Sequence, residues 1–514
     1  MNGAQSLVQT LVDAGVTVCF TNPGTSEMHF VAALDDNPEM RCVLGLFEGV
    51  VSGAADGYAR MADRPAATLL HLGPGLGNAL ANLHNAKRAH TPMVNIVGDH
   101  ATYHAHFDAP LTSDVEGVAR PMSQWLRRSR YAAEVARDGA EAVRAALTAP
   151  GQIATLVLPA DTAWDEAPGA AAPLPVPARP APQPEAIAAA VAALRSGEPC
   201  VLLMNGQALR APALRQAARL EAVSGARLFH DTFVSRLTRG PGLPAPERLP
   251  YFGEQALEAL AGAAHLILVG TRPPVSFFAY PDKPSSLVPK GCQVHSLVGA
   301  EGDALAALTA VADALGAPAT VTPALPPRPA APKPGPLTPE TIAASVGALM
   351  PDQAIVVDEA ATSGFALPAA TAGGPTHDWL ALTGGAIGQG LPTAVGAAVA
   401  CPDRKVLCMQ ADGSAMYTVQ ALWTMAREKL DVVTVIFSNR KYAILQVEFM
   451  RVGAHNPGPK AMSMLDLSNP DIDWVAMAAA MGVEAERVDD ASAFHDAFAR
   501  AVAAKGPRLI EAVI

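Results

Sequence analysis

Short apolar runs alternate with amphipathic stretches along most of this chain, and that rhythm constrains the fold more than any other feature. In the first third, residues 16–21, 42–47, 66–71 and 93–98 read as buried strands, and helical stretches at 28–34, 50–61 and 79–88 follow three of them. In the last third the strand part falls to 354–358, 405–410, 432–438 and 509–514. The middle carries the same signal at 201–204, 228–230 and 266–270. Strands that alternate with helices pair in parallel, and the helices cover both faces of the resulting sheet. Two segments rich in Pro and Ala, at 168–184 and about 316–339, interrupt the rhythm. Proline fixes φ and lacks an N–H, so such runs favour extended connectors over helix interiors and sheet centres. The expected architecture is therefore α/β: three doubly wound parallel-sheet domains, at residues 1–167, 185–316 and 338–514.

Bulk properties agree with this division. A chain of 514 residues is long enough for three domains at about 150 residues each. Half the residues are hydrophobic and 17% are charged, a composition that buries large cores. The net charge of −11, without a long basic run, argues against nucleic acid as a partner. The first 15 residues lack a basic stretch followed by an apolar one, and no uninterrupted apolar run reaches membrane-spanning length. Six cysteines are scattered without a CxxC pair, as expected of free thiols in a reducing compartment. The expectation is a soluble cytoplasmic protein that uses no membrane.

In doubly wound sheets, ligands bind beyond the carboxyl ends of the strands. The run 405–410 ends in Ala411-Asp412-Gly413-Ser414; a helix and a strand follow, and then Ser438-Asn439-Arg440-Lys441-Tyr442. Asp412 and Asn439 are 27 residues apart, the span of a strand–helix–strand unit that returns to the neighbouring strand end. Their oxygens can converge on one cation. Mg²⁺ prefers oxygen ligands and shares its shell with phosphate, and helix N–H groups after Ser414 would face the same anion. Taken alone, Asp-Gly is a common turn.

The combination resembles the signature of thiamine-diphosphate enzymes, a Gly-Asp-Gly turn followed at this distance by an Asn-Asn pair. The resemblance implies that Asp412, the Asn439 side chain and the Lys441 carbonyl hold Mg²⁺, with Gly413, Ser414 and Tyr442 completing the diphosphate site. Ala411 and Ser438 depart from the pattern, but neither replaces a metal ligand. Ala411 does require backbone without positive φ.

Other segments extend the likeness. Glu48 follows an apolar run and opens Glu-x-x-x-x-Gly-x-Ala-Asp-Gly-Tyr-Ala-Arg, which resembles the family's glutamate helix. A glutamate there also simply suits the helix dipole. The resemblance implies that Glu48 hydrogen-bonds N1′ of the aminopyrimidine, work that calls for a shielded carboxyl of raised pKa. Asn22-Pro23-Gly24-Thr25-Ser26-Glu27 resembles the Asn-Pro-Gly loop of benzoylformate decarboxylases, with Thr25 facing the substrate carboxylate; a turn and helix cap would use the same residues. His71 heads a glycine-rich stretch ending at Asn78, placed as a proton relay in decarboxylase-like members, with Asn78 beside the cofactor. Its glycines fall as GxGxG, which is not the dinucleotide fingerprint. Gly384 to Pro392 resembles the loop that props up the bound cofactor, with the Gly385 carbonyl accepting the 4′-amino hydrogen and Ile387 under the bend between the rings. Thr362, in the loop 358–363, is a diphosphate-side candidate. His100, His104, His106 and Asp108 do not match zinc spacing and read as a polar loop near the substrate entrance.

The resemblance covers essentially the whole chain. It implies thiamine-diphosphate and Mg²⁺ dependent decarboxylation of a 2-oxo acid, ending in aldehyde release or carboligation. It also implies a homodimer or homotetramer in which Glu48 of one subunit meets the cofactor held by another. His71 and the Asn-Pro-Gly loop favour a benzoylformate-decarboxylase-like lyase. The general pattern, and the absence of a histidine from 270–281, where Phe277 and Phe278 can narrow the pocket, leave an acetolactate-synthase-like carboligase open. A non-catalytic cofactor-binding homologue and a nicotinamide oxidoreductase are the remaining alternatives. Whether the middle domain holds FAD, as in acetolactate synthases, is left open by the residues.

Overall fold

The computed structural model describes residues 1–454 and 456–514. The first sheet comprises β1 (Val18–Thr21), β2 (Arg41–Leu44), β3 (Ala66–His71), β4 (Met93–Asp99), β5 (Trp125–Arg128) and β6 (Ile153–Pro159). All its pairs are parallel, in the order β2-β1-β3-β4-β6-β5. Next in the chain come β7 (Cys200–Met204), β8 (Arg227–His230), β9 (Leu237–Arg239), β10 (Glu247–Arg248), β11 (His265–Val269) and β12 (Gln293–Val298). All of these but β9 form a second parallel sheet, ordered β10-β8-β7-β11-β12. The third sheet takes β13 (Ala354–Glu359), β14 (His377–Ala381), β15 (Val406–Ala411), β16 (Val432–Ser438), β17 (Glu484–Val488) and β18 (Arg508–Val513). Its order is β17-β18-β16-β15-β13-β14-β9.

The expectation of three parallel α/β sheets therefore holds, with one addition. The middle block lends β9 to the edge of the third sheet, where Leu237 pairs antiparallel with Trp379. Residues 168–183 and 318–333 contain no regular structure, and helices begin on Pro184 and Pro339, where proline's missing N–H costs nothing. No described helix is long and apolar enough to cross a membrane.

The first and third blocks share one apolar core that runs from Val18 to Leu509. Its seam is the packing of the helix Glu48–Ala62 on the helix Gly390–Ala400. The approach is so close that a Cβ on Gly57 would lie 2.1 Å from the carbonyl oxygen of Thr393, and one on Gly396 would lie 1.8 Å from that of Ala54. Only glycine allows backbones this near, which explains physically two of the glycines that mark these helices.

Beside the seam lies a buried ion pair. Arg60 grips Asp56 through Nε at 2.8 Å and Nη2 at 2.6 Å, and both side chains are at most 2% exposed. Gln389 and Thr91 also donate to Asp56, while Arg60 donates to the Ala381 carbonyl and to Thr383. The network ties the first block to residues 381–389 of the third. Removing one member of such a pair strands the other charge, so Asp56→Ala is expected to cost about 3–5 kcal/mol. Urea unfolding would measure it; a loss under about 1 kcal/mol, the size of an exposed pair, would deny the pair this role.

Candidate functional site

β15 and β16 are parallel neighbours, and Ala411 pairs with Phe437, so the segments after both strands emerge side by side. Asp412 opens a short helical turn, Asp412–Ala415, and is 2% exposed. Its Oδ1 accepts the Gly413 N–H at 2.7 Å, and its Oδ2 accepts the Arg440 N–H at 2.6 Å. Burial raises its pKa above the usual carboxylate range, against the pull of those N–H groups. Asn439 Oδ1 accepts the Lys441 N–H at 3.1 Å, and the Asn439 amide lies 3.5 Å from Ser363 Oγ. Ala411 has φ −78° and ψ 148°, extended backbone that any residue adopts, so alanine is comfortable there. A Cβ on Gly413 would come within 2.5 Å of the Tyr442 ring, which therefore lies directly on the turn. Asp412, Gly413, Ser414, Asn439 and Tyr442 are thus gathered around one turn. Carboxylate, amide and main-chain oxygens are the donors Mg²⁺ selects. Among the described residues no three His, Cys, Asp or Glu side chains converge as a metal cluster.

The loop before the helix Gly390–Ala400 is fixed from two sides. Gly385 has φ +74° and Gly388 φ +95°, left-handed conformations that require glycine. From the first block, Asn82 donates to the Gly388 carbonyl at 3.1 Å, Asn85 donates to that of Ala386 at 2.7 Å, and His84 Nε2 is 3.0 Å from that of Gly384. From beneath, Glu359 accepts the N–H groups of Gly388 at 2.7 Å and Gly390 at 2.5 Å. Gln410 donates to Glu359 at 3.0 Å and to Ser414 Oγ at 2.6 Å. A buried carboxyl thereby joins the loop that carries Gly385 and Ile387 to the Asp412 turn. Burial raises the Glu359 pKa, while the donors around it act the other way. Sequence reasoning passed over Glu359; its only signal was an acid at the very end of a strand. Ile387 and Thr362 are half-buried, and Thr362 sits in the turn Ala361–Gly364 next to Ser363, the residue that reaches Asn439. Phe277, from the middle block, stands over Gly385: a Cβ there would be 2.8 Å from its Cζ.

The third cluster belongs to the first block. Glu48 begins its helix, is 8% exposed, and accepts a 2.9 Å hydrogen bond from Asn78 on Oε2. The glycine-rich stretch after His71, expected from sequence to precede a helix at 79–88, is instead the start of a helix spanning Leu72–Arg88. That is a correction with a local cause. Leu72 takes the positive φ of +44°, so the sharp turn is made there and the glycines are free to lie in the first helical turns. His71 Nδ1 lies 2.9 Å from Glu27 Oε2 and 3.2 Å from Ser26 Oγ. Glu27 is 3% exposed and also accepts the Gly24 N–H at 2.8 Å and the Ser26 hydroxyl. Thr25 is exposed at the start of the turn Thr25–Glu27, so the hydroxyl beside His71 is that of Ser26. Glu27 was also missed from sequence, being an acid whose meaning depends on a histidine 44 residues away. His100, His104 and His106 form a chain of tilted ring contacts with Phe107.

Within one chain, the hydrogen bonds of the Glu48 and His71 side chains stay inside the first block, and those of Asp412 stay inside the third. No described hydrogen bond joins the two sets.

Comparison with known proteins finds relatives along the whole chain. Family models described as "Thiamine pyrophosphate enzyme, N-terminal TPP binding domain" and "C-terminal TPP binding domain" match residues 1–123 and 372–512. The chain is 58% identical to the provisionally named acetolactate synthase large subunit IlvX of Mycobacterium tuberculosis, over 100% of this chain and 99% of the other. It is 30% identical to the benzoylformate decarboxylase of Pseudomonas aeruginosa, over 97% of this chain and 96% of that one. The solved structure of the thiamine diphosphate-dependent 4-hydroxybenzoylformate decarboxylase from Rhodococcus jostii RHA1 superposes with a TM-score of 0.87 at 27% identity, covering 100% and 99% of the two chains.

Proposed function

Because this chain belongs to the thiamine-pyrophosphate enzymes, in the group of decarboxylases and acetolactate synthases, we propose that it decarboxylates a 2-oxo acid and releases an aldehyde, as a benzoylformate-decarboxylase-like lyase. The observation that carries the decarboxylase reading is the pair of half-buried His71, at the end of β3, with buried Glu27. A carboxylate on Nδ1 fixes the ring and leaves Nε2 to hold or deliver a proton, the task that aldehyde release requires.

When bound, thiamine diphosphate supplies a nucleophilic ring carbon and an electron sink for the pair left by departing CO₂. In this reading Asp412, the Asn439 amide oxygen and the Lys441 carbonyl hold Mg²⁺, and Gly413, Ser414, Thr362 and Tyr442 flank the diphosphate. Ile387 supports the cofactor from below, and the Gly385 carbonyl takes its amino hydrogen. Glu48, oriented by Asn78, keeps a proton shared with N1′ of the pyrimidine. Thr25 faces the substrate carboxylate, and Phe277 limits the space for its side chain. The separation of the two hydrogen-bonded sets within one chain supports a site completed by a second copy, in a homodimer or homotetramer.

Carboligation is the second reading, favoured by the 58% identical relative and by a phenylalanine, with no histidine in 270–281, over the cofactor loop. Product analysis separates the two. Benzoylformate alone is expected to yield benzaldehyde and CO₂. Acetolactate from pyruvate, with no benzaldehyde from benzoylformate, would replace the first reading by the second.

A further inference from the structure

A cavity of about 570 Å³ lies between the middle block and the edge of the third sheet, where β9 pairs with β14. Its walls include Arg239, Arg248, Trp379, Tyr251, Phe252 and Phe365. None of the residues proposed to hold thiamine diphosphate or Mg²⁺ is among them. The volume falls within the range of sites for small organic ligands.

Two guanidinium groups face this space, and neither forms an ion pair with a described carboxylate. Arg239 donates to Thr371 Oγ1 at 2.8 Å and to the Pro368 carbonyl at 2.6 Å, and it stacks over Trp379 at 5.4 Å. These partners are neutral. Arg248 donates its Nε to the Thr232 carbonyl at 2.8 Å and lies 5.5 Å from the Phe233 ring centre. Burial lowers the pKa of both, that of Arg239 to about 10. Asp358 acts on Arg248 only at a distance, and burial weakens it as an anion. Glu247 also lines the cavity but is turned to Arg227 at 3.1 Å. His230, on the wall, is held neutral with its pKa pushed down to about 3 by burial, so it brings no compensating charge.

Both arginines are half-buried, and withdrawing a charge from water is costly unless an opposite charge accompanies it. Two unpaired guanidiniums on one aromatic-walled cavity therefore mark the place of an anion. We propose that this cavity is a second ligand site, which takes an organic anion bearing one acidic group and a flat apolar body. Arg248 and Arg239 meet the carboxylate or phosphate, since a guanidinium fork matches either. Trp379, Tyr251 and Phe365 supply the surfaces for the ring. The proposal does not depend on which 2-oxo acid the enzyme uses.

Two probes separate the possible acids: naphthalene-2-carboxylate and adenosine 5′-monophosphate. Each is titrated calorimetrically into full-length protein saturated with thiamine diphosphate and Mg²⁺, so that the cofactor site is filled. At least one probe is expected to bind once per chain and to quench tryptophan emission through Trp379. Its uncharged counterpart, 2-naphthalenemethanol or adenosine, is expected to bind at least ~10-fold more weakly, the loss of one charge-assisted contact. Arg248→Gln should weaken the anion to the same extent and leave turnover and cofactor affinity unchanged. If Arg248→Gln does not fold, Ala369→Phe, which adds bulk to the cavity wall and keeps both arginines in the sequence, should abolish binding. The proposal fails if neither probe binds, if the neutral counterparts bind equally well, or if the folded variant binds like wild type.

Discussion

Asp412→Ala is expected to reduce the affinity for thiamine diphosphate in the presence of Mg²⁺ by on the order of 100-fold or more, since even outer-shell changes at metal sites cost 10–100-fold. The argument starts from burial. A carboxyl that is 2% exposed and already raised in pKa by its surroundings is unfavourable as an anion until something positive lies against it. Two backbone N–H groups supply part of that, and both arrive from the segments that would border the cofactor. A divalent ion shared with a diphosphate would supply the rest. Alanine removes the anion and leaves the Gly413 and Arg440 N–H groups without their acceptor, a stability loss of about 1–3 kcal/mol. The two effects are separable. Thermal unfolding without cofactor reads the second; calorimetric titration of thiamine diphosphate at fixed Mg²⁺ reads the first. Unchanged affinity in a folded variant would remove Asp412 from the metal site.

How much of this could be read from residues alone followed burial only in part, since β6 and β14 are buried throughout and yet were not among the expected strands. Apolar runs that became central strands, such as β3, β4, β15 and β16, are buried along nearly their whole length and stood out at once. β17 (Glu-Ala-Glu-Arg-Val) and β5 (Trp-Leu-Arg-Arg) lie at sheet edges with mostly half-exposed or exposed residues, so their sequences carry no apolar run to find. β9 is three residues long and gains its place only by pairing across to another block, which no local pattern announces. The functional candidates divide in the same way. Asp412 and Asn439 were visible because the β15–β16 unit fixes their separation in the chain. Glu27 and Glu359 were not, because their significance comes from His71 and from the Gly388 and Gly390 N–H groups, partners brought near only by folding. The glycine pairs told more than they first promised. Those in the helix Glu48–Ala62 marked a family pattern in sequence and prove to be the contact surface that fastens the first block to the third.

Glu48→Gln is expected to lower turnover by ~10²–10⁴-fold, the usual contribution of a positioned proton-transfer group, with cofactor affinity and thermal stability close to wild type. Glutamine matches the glutamate in shape, and its amide oxygen can still accept from Asn78, so the start of the helix Glu48–Ala62 is preserved. What disappears is a group able to give up and regain a proton at one oxygen. The same variant tests where the two halves of the site meet. Glu48→Gln and Asp412→Ala can be made separately and mixed under conditions that exchange subunits. If each site combines Glu48 of one subunit with Asp412 of another, a mixed dimer has one site carrying both defects and one carrying neither. Random exchange makes half the dimers mixed, and activity should return to about one quarter of the wild-type value per chain, as two-fold symmetry requires. If both residues served one site within a chain, every site in every mixture would carry a defect and mixing would restore nothing. That outcome would overturn the shared site even if both single variants behaved as expected.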